Sequence, residues 1–387
     1  MISISKEWYY PAKGESFYMY NAHMNRNNYW DILKGLGIIA IVIGHIGTPI
    51  GPYLYMYHLS LFFFVSGYLF EDKYTYKPRE FIIKKCKRLL FPYWIYNVIF
   101  LILHNILYNL HLYGYAEGVY KYNCFKFFYK FIGIMVFHSG EPLVGALWFL
   151  VALFVVNIMF LILSIINVKI NKRYNLNIIP WVVLFAFIIG YYLDHEKYHW
   201  CDHFHLLVAF ITLLVFYAGY ILKRLDLNKY IHWFPAVISF FLLIYTCNKY
   251  GSVYLALVYR NLNNPLVFIV GSFTGIYVNL YLANIIQRYK YVANLFSDIG
   301  RRSLSIMALQ FVAFKAVNLF YVLYKKEPLI YLAKFPVITS QHYWWIAYLT
   351  LGITIPMCLD FIYEKLRDRY TTNGKWQIRL KTIFSTH

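Results

Sequence analysis

Ten stretches of about twenty mostly apolar residues follow one another along the chain, and they constrain its fold more than any other feature. A helix of that length crosses the roughly 30 Å hydrocarbon core of a bilayer. Because backbone polar groups in lipid must pair internally, each stretch is predicted to be helical. We place the spans at Trp30–Ile50, Pro52–Phe70, Leu89–Leu110, Pro142–Ile166, Ile178–Leu193, His205–Leu222, Ile231–Cys247, Pro265–Ile285, Ser303–Leu323 and Tyr343–Tyr363. The predicted fold class is an all-α, polytopic transmembrane helix bundle of about ten spans.

The composition agrees with a membrane protein. Of the 387 residues, 60% are hydrophobic and 14% are charged, whereas soluble domains have about 45–50% apolar and about 25% charged residues. The formal net charge of +20 would suggest nucleic-acid binding in a soluble protein. Polytopic proteins instead concentrate Lys and Arg in cytoplasmic loops, so we expect the lipid bilayer, and no nucleic acid, as a partner.

The distribution of basic residues predicts the orientation. If the N-terminus is cytoplasmic, the segments on the inner side of ten spans carry most of the 37 Lys and Arg residues, as the positive-inside rule requires. We therefore expect both termini to be cytoplasmic. The predicted divisions are a polar N-terminal tail at 1–29 rather than a signal peptide, a transmembrane domain at 30–363 and a basic tail at 364–387. No loop is long enough for a separate catalytic domain.

Ionisable side chains within the spans are the first candidates for function, because they are costly in lipid. Lys34 and His45 in the first span are 11 residues apart, which places them on one helix face and roughly 16 Å apart along the axis. His58 in the second span should lie at a similar depth to His45. Two facing histidines suit acid–base chemistry. The alternative is a pair of structural histidines bonded to backbone carbonyls.

Two further groups of residues suggest binding sites. A basic run that includes Lys85 and Arg88 precedes the third span; it is either a stop-transfer cluster or a phosphate site, which Arg301 and Arg302 could join. Glu141, a few residues before Trp148, marks either a substrate site on the outer face or a solvated charge at a helix start.

Three other features carry less information. The outer loop at 194–205 is rich in histidine but has no recognisable ligand spacing, and the five cysteines form no CxxC pair, so we expect no metal site. Lys315 in the ninth span either lines the bundle or reaches the outer interface, and we favour the second. The sequence indicates no oligomeric state.

Several motifs in a fixed order resemble the membrane-bound acyltransferase 3 family, and its fucose 4-O-acetylase-like branch most of all. The residues that carry the resemblance lie at 28–35, 44–45, 57–68, 87–93, 147–150 and 299–306. The resemblance implies a ten-span protein of the inner (plasma) membrane that moves an acyl group, usually acetyl from cytoplasmic acetyl-CoA, to a glycan hydroxyl. It also implies functional roles for His45 and Lys34. Members often carry an Arg-x-x-Arg pair that enters the third span, where this chain has Lys85 and Arg88. They often carry a His in the ninth span, where this chain has Gln310.

These observations combine into a hypothesis for the site. Lys34, Lys85 and Arg88 would hold the phosphates of acetyl-CoA, Asp31 would fix Lys34 one turn away, and Ser66 is a further donor-binding candidate. His45 would act as general base or acyl carrier, and His58 would orient it. Glu141 and Trp148 would contact the glycan acceptor. The alternatives are a transporter or flippase for a lipid-linked glycan and a structural membrane subunit.

Overall fold

All regular secondary structure is helical in the residues that the computed structural model describes, which are 28–196, 205–251 and 264–372. This confirms the predicted fold class at the level of a helical bundle. The α-helices are α1 (Asn28–Ile46), α2 (Gly51–Tyr55), α3 (His58–Tyr68), α4 (Pro78–Lys85), α5 (Phe91–Asn109), α6 (Cys124–Met135), α7 (Trp148–Tyr174), α8 (Ile179–His195), α9 (Leu206–Arg224), α10 (Trp233–Tyr250), α11 (Pro265–Ile286), α12 (Lys290–Arg301), α13 (Ser303–Lys325) and α14 (Trp344–Thr372).

Seven helices among the described residues are long and apolar enough to cross a membrane, and the chain is therefore a multi-pass membrane protein. A shorter apolar helix covers Ile179–Asp194. The seven are Asn28–Ile46, Pro78–Asn109, Pro142–Tyr174, Leu206–Arg224, Pro265–Ile286, Ser303–Lys325 and Trp344–Arg367. The count of ten spans and the cytoplasmic termini stay predictions. Most of the two expected tails, and residues 197–204 of the histidine-rich loop, lie outside the described residues.

Two of the predicted spans differ in detail. The segment Pro52–Phe70 is not one continuous helix, because the backbone of Tyr57 has φ −141°, which separates α2 from α3. The third span begins earlier than predicted, because α4 continues into α5 through a π-helical turn at Cys86–Leu90. That turn is wider than an α-helical turn and is a feature common at functional sites.

Helix α1 lies at the centre of the bundle, where it contacts α3, α11, α12, α13 and α14. Its contact with α12 is especially close, since a Cβ on Gly35 would overlap the carbonyl oxygen of Phe296 and a Cβ on Gly300 would overlap that of Asp31. Small residues permit such close approach of helix backbones. The central position of α1 fixes Lys34 and His45 relative to most of the other helices.

Lys315 fixes the connection between α13 and α14. The side chain is 3% exposed, and its Nζ donates to the carbonyl oxygens of Leu332, Ala333 and Lys334 at 2.7, 3.0 and 2.8 Å. The preference for a snorkelling Lys315 is therefore wrong. An ammonium group here donates to three carbonyls at the end of a short 3₁₀ helix. The carbonyl of Lys334 also accepts from Asn318 at 3.2 Å.

We expect Lys315→Met to lower stability, because three carbonyl oxygens lose their shared donor. A hydrogen bond to a charged group contributes about 1.5–3 kcal/mol, so the apparent melting temperature of the purified protein should fall by several degrees. Lys325→Met is the matched control, since Lys325 is on the same helix and exposed. Equal melting temperatures for the two variants would contradict this role of Lys315.

Candidate active site

A small cavity brings together the two histidines singled out from the sequence. His45 near the end of α1, His58 at the start of α3 and Trp148 at the start of α7 all line it. The cavity holds about 10 Å³, which leaves room for roughly one water molecule. We call it the histidine cavity; its lining is Ile41, His45, His58, Leu59, Ala146, Trp148, Phe149 and Met307.

Each imidazole of the histidine cavity has a defined neighbour. The ring of His45 meets Phe311 edge-on, with centroids 4.9 Å apart. Nδ1 of His58 is 2.9 Å from the carbonyl oxygen of Leu54. Because a carbonyl only accepts, this nitrogen carries the proton, and Nε2 is then the acceptor of the neutral ring. His58 therefore makes the bond to a backbone carbonyl that we expect of a structural histidine.

A neighbouring side chain ties the two histidine-bearing segments together. The hydroxyl of Tyr55 donates to the carbonyl oxygen of Gly44 at 2.5 Å, and the Tyr55 ring lies 5.4 Å from that of His58. Gly44 directly precedes His45 in α1. This contact fixes the relative positions of His45 and His58.

A second, larger cavity lies beside the histidine cavity, and Trp148 lines both. It holds about 210 Å³. We call it the Glu141 cavity; its lining is Tyr93, Asn97, Phe137, His138, Ser139, Gly140, Glu141, Pro142, Val144, Gly145, Trp148 and His205. The two residues assigned to acceptor binding from the sequence, Glu141 and Trp148, therefore share one cavity next to the histidines.

Glu141 forms a buried pair with His104, a residue that the sequence analysis missed. Oε2 of Glu141 is 2.7 Å from Nδ1 of His104, and the two side chains are 0% and 1% exposed. Nε2 of His104 faces the carbonyl oxygen of Tyr120 at 2.9 Å. Asn97 accepts from the backbone N–H of Glu141 at 2.9 Å. Glu141 is not the solvated helix-start charge that the sequence left open.

Two tyrosines surround this pair. The ring of Tyr122 stacks on His104 with centroids 3.5 Å apart and an interplanar angle of 9°, and Tyr113 lies 4.9 Å away. Burial, and then the charge of Glu141, raises the pKa of both phenols. Tyr113 and Tyr122 therefore stay neutral hydrogen-bonding groups at physiological pH.

The residues assigned to the acyl donor form two polar clusters toward the other end of α1. Nζ of Lys34 pairs with Asp31 at 2.5 Å. Nζ of Lys85 donates to Ser66 at 3.3 Å, and Ser66 donates to the fully buried Asn157 at 3.1 Å. Two predicted donor residues on different helices, Lys85 and Ser66, are thus in direct contact.

The remaining basic residues of the predicted phosphate site differ in whether they have an acidic partner. Arg88 is exposed on the π-helical turn, and its positive charge repels that of Lys85. Arg301 pairs with Asp298, and Arg302 pairs with Glu364 at 2.6 Å. Lys85 and Arg88 have no carboxylate partner in the described part of the chain, so they are better candidates for binding phosphate than the two arginines near α13. Lys34 also has an acidic partner, Asp31, and its role in binding the donor stays a prediction.

No group of three or more metal-ligating side chains occurs in the described part of the chain.

His104 belongs to the class of residues that the sequence analysis looked for, because it is ionisable and lies inside a predicted span. Its partner is 37 positions away, so the pairing itself required the fold.

A family model described as an acyltransferase domain, acyltransferase 3, matches residues 27–362. The chain belongs to this family. No curated protein and no solved structure matches it. The match includes both cavities and the two donor-side clusters, so the site described above lies within a membrane acyltransferase domain.

Proposed function

We propose that this acyltransferase moves acetyl from cytoplasmic acetyl-CoA to a hydroxyl of a cell-surface or lipid-linked glycan, with His45 as general base. The observation that carries the proposal is the pair of histidines lining one cavity, beside a larger cavity. The resemblance to the fucose 4-O-acetylase-like branch supports a sugar hydroxyl as acceptor. The basic end of α1 then faces the cytoplasm, and the protein lies in the inner (plasma) membrane.

The chemistry needs one base and one path for a proton. His45 takes the proton of the acceptor hydroxyl as the oxygen attacks the thioester carbonyl. The C–S bond breaks, an ester C–O bond forms, and His45 returns the proton to the departing sulfur, so that CoA leaves as a thiol. His58 holds its place through its bond to Leu54 and would orient the base or stabilise developing charge.

The positions of the charged groups fit a donor that enters from the Lys34 end. Lys34 and His45 are roughly 16 Å apart along α1, which a thin chain such as the pantetheine arm of CoA can span. The phosphates of CoA are negative, and the positive side chains of Lys34, Lys85 and Arg88 attract them. The histidine cavity is too small for an acetyl group at about 10 Å³, so acyl transfer requires movement of a side chain such as Trp148.

We expect Lys34→Met and Lys85→Met each to weaken acetyl-CoA binding by about 10- to 100-fold, because a charged hydrogen bond contributes about 1.5–3 kcal/mol. Lys87→Met is the control, since Lys87 lies on the same turn as Arg88 and is exposed. Equilibrium binding of acetyl-CoA to the purified protein in nanodiscs measures the effect. Unchanged affinity in both variants would remove these lysines from the donor site.

The same measurement discriminates between the proposed enzyme and a glycan transporter. A transporter has no use for acetyl-CoA, so the wild type would then show no affinity for any acyl-CoA. Slow hydrolysis of bound acetyl-CoA without an acceptor is the result that supports acyl transfer. The family to which the chain belongs does not favour the transporter.

A further inference from the structure

A third cavity, lined by lysines, shares Pro142 with the Glu141 cavity, and the proposed reaction gives it no role. It holds about 500 Å³. We call it the lysine cavity; its lining is Gly118, Val119, Tyr120, Lys121, Tyr122, Asn123, Lys126, Lys130 and Pro142. Three of these residues are lysines and none is acidic.

The lysines of this cavity are not neutralised by carboxylates in the described part of the chain. Lys121 lies over the ring of Tyr108 at 5.8 Å, and Lys126 lies over that of Tyr129 at 5.2 Å. Neither these two nor Lys130 forms an ion pair among the described residues. The nearby carboxylate of Glu141 is buried and turned toward His104. The cavity therefore presents a net positive charge.

The walls of the lysine cavity are held in place by α5. The side chain of Asn105 donates to the backbone oxygen of Tyr122 and accepts from its N–H, both at 2.8 Å. His104 bonds the carbonyl of Tyr120, and Asn123 caps α6 through the N–H of Lys126 at 2.8 Å. These bonds pre-organise the segment, which lowers the entropic cost of binding a ligand there.

The lysine cavity is connected to the candidate active site through shared residues. Pro142 lines both the lysine cavity and the Glu141 cavity, and Trp148 in turn lines both the Glu141 cavity and the histidine cavity. Tyr122, a wall of the lysine cavity, stacks on His104. A ligand with its charged group among the lysines could extend along these residues toward His45.

We propose that the lysine cavity binds an anionic group, carboxylate or phosphate, of the glycan acceptor. This inference rests on the proposed function, because it assigns a charge class to the acceptor. Tyr120, which is 53% exposed, offers an aromatic face beside the lysines for the adjoining sugar ring. A single lysine near the surface contributes little, so the three should act together and their effect should fall with salt.

Binding of two matched sugars tests the inference without acetyl-CoA. The probes are oligogalacturonate and its methyl ester, which has the same backbone without the charges, and the protein is held in phosphatidylcholine nanodiscs. We expect the wild type to bind the anionic oligomer about tenfold or more tightly than its ester, as several charge-assisted contacts imply. The combined change Lys121→Gln, Lys126→Gln and Lys130→Gln should abolish that preference.

The control is the combined change Lys325→Gln, Lys326→Gln and Lys334→Gln, three exposed lysines at the end of α13 and in the segment after it, which should leave the preference intact. Equal affinity of the wild type for the two oligomers would overturn the inference. So would a preference that phosphatidylglycerol nanodiscs abolish, because the cavity would then hold a lipid headgroup. With acetyl-CoA then added, binding of the anionic oligomer without any acetyl transfer would refute the proposed function alone. Transfer to both oligomers, equal in the wild type and the triple variant, would refute the inference alone.

Discussion

His45→Ala should lower acetyl transfer by about 10²–10⁴-fold, the usual contribution of a general base, while the affinity for acetyl-CoA stays within about twofold. The separation of the two effects follows from geometry. His45 lines the histidine cavity, whereas the donor-side lysines lie roughly 16 Å away along α1. Turnover of acetyl-CoA by the purified variant, beside its equilibrium affinity, measures both.

His232→Ala is the control for this variant, because His232 is exposed and lines none of the three cavities described. Full turnover by His45→Ala would remove the residue from the mechanism. Labelled acetyl that stays attached to the wild type, but not to His45→Ala, would make His45 an acyl carrier instead of a base.

The second large effect is expected at the buried pair of Glu141 and His104. Glu141→Gln keeps the shape of the side chain but removes its charge, and His104→Asn removes the imidazole. Each variant takes the charged partner from the other member of a fully buried pair, which costs about 3–5 kcal/mol. Reversible unfolding of the purified protein should show the loss in both variants.

The double variant of the pair should be less destabilised than the sum of the two single variants, because the uncompensated group is then gone as well. Glu327→Gln, at an exposed carboxylate after α13, should have almost no effect. Strictly additive losses would mean that the two side chains do not stabilise one another.

The helices were largely predictable because length and apolarity alone determine what can cross a bilayer. The joint placement of His45 and His58 was also predictable, since helical periodicity and depth both point to one level of the bundle. The break at Tyr57 was not, because the apolar run from Pro52 to Phe70 continues through it. Only the backbone angle of Tyr57 reveals that α2 and α3 are separate.

The parts of the site that could not be predicted from the sequence are those made by contacts between residues far apart in the chain. Glu141 pairs with His104, Lys85 donates to Ser66, and Ser66 donates to Asn157, each across a connection whose path the sequence does not show. Lys315 illustrates the same limit: its position in a span indicates a cost in lipid, yet its three carbonyl partners come from a loop that no periodicity describes. The lysines of 121–130 likewise led to no prediction from the sequence, because the cavity that they line is formed only by the fold.

The most direct test of the account is acetyl transfer across a sealed membrane. Proteoliposomes would hold the protein, with radiolabelled acetyl-CoA supplied on one side only and a glycan acceptor on the other. We expect labelled ester on the glycan with the wild type and none with His45→Ala, although both bind acetyl-CoA equally. Equal labelling by the two proteins, or none by a wild type that binds acetyl-CoA, would contradict it.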